Sequence, residues 1–300
     1  MHPSSFPLHA SRRFVLAALL ACLSASASAR DATVEALRLA LQRPDAEAAA
    51  ALGERVLATR PRDAEAAFFA GEAFGRMAIK ASLLRKPGWA SKTREAFQQA
   101  VKLDPDHVDS RLRLVQFYNM APSVMGGGKD KAATEIAAFS ARDPAGGHYL
   151  RGSSADKPAQ AESELRAAVK LAPDDARYRR ALISVLERQQ RDDDALAVLD
   201  AGLARTPTDP RLLYVLGRYA AMSGQRTEAG LAAMDRLLAR PSALPDDVSA
   251  AGAHWRRGQL REKSGRAQDA LTDYRRAAAL APESKEIKQD LQRLASTIAG

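Results

Sequence analysis

The sequence predicts an all-α fold, a solenoid of stacked helical hairpins, and three observations point to it. The first is a recurring set of columns: a small residue, a bulky one four positions on, another small one three further, then a closing proline. It is clearest at Ala270, Tyr274, Ala277 and Pro282. The same separations hold at Thr93, Phe97, Ala100 and Pro105; at Ala132, Ile136, Phe139 and Pro144; and at Ala161, Leu165, Ala168 and Pro173. They continue at Ala195, Leu199, Gly202 and Pro207, at Ala229, Ala233, Arg236 and Pro241, and more weakly upstream at Ala49, Gly53, Val56 and Pro61. The second is the period. The closing prolines stand 44, 39, 29, 34, 34 and 41 residues apart, a range typical of helical units that bury their faces only by stacking on neighbours. The third is the single apolar stripe of Ala267, Ala270, Leu271, Tyr274, Ala277, Ala278 and Ala281, at helical spacing. It leaves Asp269, Asp273, Arg275 and Arg276 for solvent.

In chain order, residues 1–29 read as a secretory signal peptide. Arg12 and Arg13 precede an apolar run from Phe14 to Leu23, and Ala27-Ser28-Ala29 forms a small-residue cleavage site. The run is too short for a permanent membrane helix of about 20 residues. Leu19-Leu20-Ala21-Cys22 offers an alternative, a lipoprotein box that would anchor the chain to a membrane through Cys22. That cysteine is the only one, and unless it is a lipid anchor the mature protein has none and can hold neither a disulfide nor a thiolate nucleophile. The leader holds two of the 45 basic residues and no acid, leaving 43 against 36. The excess favours anionic partners.

Residues 30–300 are expected to form one elongated domain of about seven hairpins. Gly71, Gly217 and Gly258 share a column in the first helices, which predicts close helix approach against a small partner residue. Two stretches, 81–92 and 121–130, are expected to lengthen the turns of the second and third units and to form a lip bearing Trp89, Met125 and Lys129. The unit at 145–173 is expected to have its first helix cut to a turn or two, making a weak joint. Glu283 to Ile298 carries the stripe Ile287, Leu291, Leu294 and Ile298, suited to a capping helix.

These small, glycine, aromatic, alanine and proline columns over 34 residues resemble the tetratricopeptide repeat family. The resemblance implies a right-handed superhelical solenoid with a C-terminal capping helix, and a concave groove lined by the first helices. At the groove-facing columns stand Arg177, Arg180 and Arg188, then Arg211, Tyr214 and Arg218, then Trp255 and Gln259. Such a basic trough with two aromatics suits an acidic protein or peptide. The family's carboxylate clamp is not matched, because Ser184, Val215 and Gly252 occupy three of its places.

Other chemistry finds little support. Gly126-Gly127-Gly128-Lys129 resembles a phosphate loop, but Ser123 and Asp130 stand where glycine and serine or threonine are required. His107, His148 and His254 have no ligand partner within a helix turn, so no metal is expected. Asp192 to Asp194, and the pairs Asp174-Asp175 and Asp246-Asp247, fit helix starts. The function expected is a non-catalytic interaction scaffold of the cell envelope, periplasmic, without cofactor or nucleic acid. The alternative is a module binding an anionic envelope polymer or lipid headgroup, and an enzyme is the most distant reading.

Overall fold

The computed structural model describes residues 33–299 apart from 44, 242, 243, 246 and 247. The signal peptide, Cys22 and Asp246-Asp247 lie outside the described residues. Helices fill the chain, and no strand occurs among the described residues. In order they are α1 (33–40), α2 (Ala46–Thr59), α3 (Ala64–Lys80), α4 (Lys86–Leu103), α5 (Val108–Met120), α6 (Lys129–Ser140), α7 (Pro144–Ser154) and α8 (Pro158–Leu171). The series continues with α9 (Ala176–Arg188), α10 (Asp192–Arg205), α11 (Pro210–Ser223), α12 (Thr227–Leu238), α13 (Ala250–Lys263), α14 (Ala267–Leu280) and α15 (Lys285–Ala299). Each odd helix from α3 to α13 packs on the even one that follows it, and α15 closes the stack on α14. The helix starts are set locally: Asp63, Asp143, Asp175 and Asp209 each accept a hydrogen bond from a backbone amide of the first turn.

The even helices bury the columns read from sequence, with one shift of register. In α12 the buried positions are Gly230, Leu231, Ala233, Met234 and Leu237, while Ala229 and Arg236 are exposed. Pro241 therefore falls one place early, and Met234 rather than Ala233 answers to Tyr274. The glycine column brings helices together against large residues, not the small ones expected. A Cβ on Gly71 would stand 2.5 Å from the Phe97 ring, and one on Gly258 2.6 Å from the Tyr274 ring. Gly217 faces Met234 in the same way. Glycine leaves the space that the partner's aromatic or thioether fills.

The fourth unit is less truncated than its proline spacing implies. Pro144 is not a loop proline but opens α7, where its missing N–H has no partner to lose. The helix runs 11 residues against 13 in α5 and α9. Its core residues Tyr149, Leu150, Ala161 and Leu165 are continuous with those of the next units, and Tyr149 stacks on Tyr178 at 4.9 Å. The core instead divides within the third unit. Leu114, Val115, Tyr118 and Ala132 belong to the N-terminal cluster, whereas Val108, Leu112 and Phe139 belong to the central one.

Charged side chains clasp the hairpins from inside. Glu135, Glu164 and Asp273 each stand nine residues before a closing proline, and each meets an arginine of the preceding helix: Arg111 at 2.9 Å, Arg151 at 2.9 Å and Arg257 at 2.7 Å. Asp273 was expected in solvent but is 1% exposed. It accepts hydrogen bonds from His254 at 3.0 Å, Arg257 at 2.7 and 2.9 Å, and Arg261 at 2.9 Å. Arg111 and Arg179, both buried, donate to the carbonyls of Pro105 and Pro173.

Candidate binding surfaces

The odd helices line a concave groove. Because Arg38 of α1 donates to the Leu244 carbonyl at 3.3 Å, the solenoid curls far enough for its first helix to meet the segment before α13. The groove encloses a cavity of about 500 Å³, walled by side chains of α1, α3, α5, α7, α9 and α11. Arginines 38, 76, 113, 180, 188 and 211 line it beside only three acids, Glu65, Glu72 and Asp109. Phe68, Phe69 and Tyr149 supply apolar floor.

Of the eight trough residues expected, the cavity gathers Arg180, Arg188 and Arg211. The remaining five are engaged elsewhere. Arg177 pairs with Asp175 at 2.6 Å and Asp109 at 3.6 Å; burial opposes its charge, but these carboxylates hold it protonated more firmly than usual. Arg218 binds both oxygens of Glu187 at 2.7 Å. Tyr214 packs over Gly252, and burial raises its hydroxyl pKa against the pull of Arg256 and Arg218. Trp255 and Gln259 donate to Asp290 of the capping helix at 2.8 and 3.1 Å, so they fasten α15 instead of facing a ligand. Arg188 is exposed and makes no ion pair with a described residue. The half of the groove built from α1, α3 and α5 was missed, although one signal was present: Arg76 and Arg188 each stand 15 residues after a closing proline.

The two insertions meet, but not as two equal loops. Between α3 and α4 only residues 81–85 are non-helical or turn, because Pro87 in the first turn starts α4 early and residues 86–92 extend it. Trp89 is consequently half-buried on Phe74, 5.8 Å between ring centres. The second insertion is a loop, 121–128, with a 3-10 turn at Ser123–Met125. Its glycines are required by geometry and not by a phosphate: Gly126 has φ +91°, and a Cβ on Gly127 would strike the Ala121 carbonyl. Their amides bond to Ser123, Pro122 and Tyr118 carbonyls, which leaves none for an anion. Lys129 pairs at 3.4 Å with Asp156, both exposed. Met125 lines an apolar cleft of about 360 Å³ between the C-terminal ends of α3 and α5, α4 and this loop.

His148 and His254 do have carboxylate neighbours, Glu164 at 2.7 Å and Asp273 at 3.0 Å. These lie 16 and 19 residues away across a hairpin, beyond the reach of a within-helix search. Arginines share both carboxylates, and among the described residues no group of three or more His, Cys, Asp or Glu side chains could hold a metal. Nor is any described helix long and apolar enough to cross a membrane.

A stack of helical hairpins with a concave lining of first helices defines a class of repeat solenoid. The tetratricopeptide repeat family matches residues 153–210, 193–248 and 214–285, so the hairpins from α8 to α14 are tetratricopeptide repeats. Yeast Tom70 is similar in structure at 15% identity, with 85% of this chain and 52% of that one covered and a TM-score of 0.51. Human IFIT1, determined with m7Gppp-AAAA, is similar at 17% identity, 83% and 58% coverage and a TM-score of 0.50. The chain thus spans about half the length of the Tom70 chain it matches. At these identities the likeness establishes the fold alone. No curated protein sequence matches the chain.

Proposed function

We propose that this protein is an exported, envelope-located scaffold that holds an acidic segment of another polypeptide in its concave groove, without catalysis of its own. The observation that carries the reading is the groove's composition: six arginines against three acids around a cavity of about 500 Å³ with an aromatic floor. Guanidinium groups recognise carboxylates bidentately, and aromatic surface supplies the desolvated contact that charge alone does not. The family's association with protein and peptide partners supports the same reading. Export rests on the leader read from residues 1–29.

The test is a paired charge reversal. Arg180→Glu with Arg188→Glu alters the groove, whereas Arg275→Glu with Arg276→Glu alters the exposed face of α14. Partner capture from the native envelope fraction by a photo-crosslinker placed at Ser184, inside the groove, should fall about thirtyfold or more in the first protein, as expected for loss of arginine anchors worth roughly 2 kcal/mol. Capture should be unchanged in the second. Equal capture by both would show the groove to be only a solvated surface.

A further inference from the structure

Among the described residues five large apolar side chains are 77% exposed or more, and all five lie within the inserted segments 81–92 and 121–130 or within two residues of them: Ile79 at 77%, Leu83 at 84%, Leu84 at 95%, Met120 at 83% and Val124 at 90%. Folded proteins seldom leave a contiguous set of this kind in water unless something covers it. The two segments are neighbours, because the cleft beside them is bordered by Lys86 and Ala90 from one and by Ala121, Pro122 and Met125 from the other. Leu83, Leu84 and Val124 do not line that cleft. They are tips, not walls.

The charge flanking Leu83-Leu84 has one sign. Lys80, Arg85 and Lys86 flank Leu83-Leu84, and no acid occurs between Glu72 and Glu95. Neither Arg85 nor Lys86 makes an ion pair with a described residue. Beyond Val124 stand Lys129 and Lys131, with Asp130 between them. We propose that this lip docks on an anionic phospholipid surface, Leu83, Leu84 and Val124 entering the acyl boundary while Arg85 and Lys86 meet the headgroup phosphates. A polypeptide would be held by the cleft's walls. A bilayer is the partner that meets several protruding apolar tips and a set of cations at once, and shallow insertion with electrostatic attraction is how interfacial proteins bind membranes. The cleft behind the tips, apolar and about 360 Å³, gives room for an acyl chain from the same layer. The proposal does not depend on what the groove binds, nor on lipidation.

Sedimentation of the chain with unilamellar vesicles tests it, using pure phosphatidylcholine and a mixture with phosphatidylglycerol. Every protein compared begins at Arg30, so the basic, apolar leader, which would itself favour anionic vesicles, contributes nothing. Wild type should partition onto the mixed vesicles and far less onto the neutral ones. Arg85→Gln with Lys86→Gln should lower partitioning onto mixed vesicles by about fivefold for each cation removed. Leu83→Asp with Leu84→Asp should lower it on the order of tenfold or more, while Met222→Asp, at an exposed apolar site on α11 away from the lip, should change nothing. Circular dichroism checks that the lip variants stay folded. Absence of wild-type binding, equal binding to both vesicle types, or lip variants that bind within twofold of wild type would each overturn the proposal, the first leaving the patch to an apolar polypeptide.

Discussion

Removing the Asp273 carboxylate tests whether the buried charge cluster holds the C-terminal hairpin together. Asp273→Ala takes four charged hydrogen bonds, at 2.7–3.0 Å, from His254, Arg257 and Arg261. Stripping one partner from a buried ion pair costs roughly 3–5 kcal/mol, because the remaining charge is left uncompensated. Here the lower end applies. Arg257 retains Asp235 at 2.8 Å, and the His254 and Arg261 side chains are 16% and 21% exposed, so water recovers part of the loss. About 3 kcal/mol is therefore expected, confined to the last units, since a solenoid's stability is a sum of unit and neighbour contributions. The two tryptophans allow that locality to be read: Trp89 sits in α4 and Trp255 in α13. In urea, with Trp89→Phe leaving only Trp255 to report, the midpoint should drop by roughly 1–3 M for a local transition of ordinary steepness. With Trp255→Phe leaving only Trp89, it should scarcely move. Asp273→Asn, which keeps one acceptor oxygen, should lose less. Equal shifts at both tryptophans would refute the local account, and no shift at Trp255 would refute the clasp itself.

Three further outcomes follow from the packing. Gly71→Ala should cost about 1–3 kcal/mol by overpacking against the buried Phe97 ring, whereas Gly88→Ala, in α4 with nothing within 4 Å of the new methyl, should stabilise by up to about 1 kcal/mol; thermal denaturation separates the two. Burial would raise the pKa values of Glu164, Asp273 and Asp290, yet their His, Arg and Trp donors outweigh it and hold them below the ordinary range. Such groups bind fewer protons folded than unfolded, so their contribution is complete above the unfolded carboxylate values near about 4 and is lost as pH falls through the depressed folded ones. Denaturant midpoints should thus be flat in these groups from neutrality to about pH 5 and fall below it. Hydrogen exchange should find α6, where only Ala132 and Phe139 are buried, less protected than α8 in the shortened unit; slower exchange in α6 would contradict the placement of the core's division.

What the sequence made legible was the local part of the fold. The columns of an even helix lie within one helix and are fixed by the face it buries, so Ala161, Leu165 and Ala168 could be read directly, and all three are 3% exposed or less. Register was misread where a proline was trusted over the apolar pattern. Pro241 suggested Ala233 for the bulky column, but Met234 fills the space above Gly217. Proline misled twice more for a single reason: in the first turn of a helix it starts structure instead of stopping it, which lengthened α4 at Pro87 and gave α7 three turns from Pro144. The charged clasps were illegible because a carboxylate such as Asp273 has the composition of a surface residue, and its partners lie 12 to 19 positions away across the hairpin.

The same reason limited the reading of the groove. An arginine on the concave face was counted as available, but Arg177 and Arg218 are answered by Asp109, Asp175 and Glu187 from neighbouring turns and units, and no periodic column records which acid will meet which base. Other cations make no ion pair with a described residue: Arg188 in the groove, Arg85 and Lys86 at the lip. The two regions share a wall. Glu72, Arg76, Arg113 and Gln116 line both the groove and the apolar cleft, with Arg113 bonded to Glu72 at 2.8 Å. A membrane surface at the lip would then stand one side-chain layer from the groove, and an acidic segment entering the groove would compete with Glu72 for Arg113. Occupancy of one region should therefore alter affinity in the other by equal factors in both directions, as linkage requires, and Glu72→Gln, which frees Arg113 without touching the lip's tips, should strengthen groove binding while leaving vesicle partitioning of the unliganded chain unchanged.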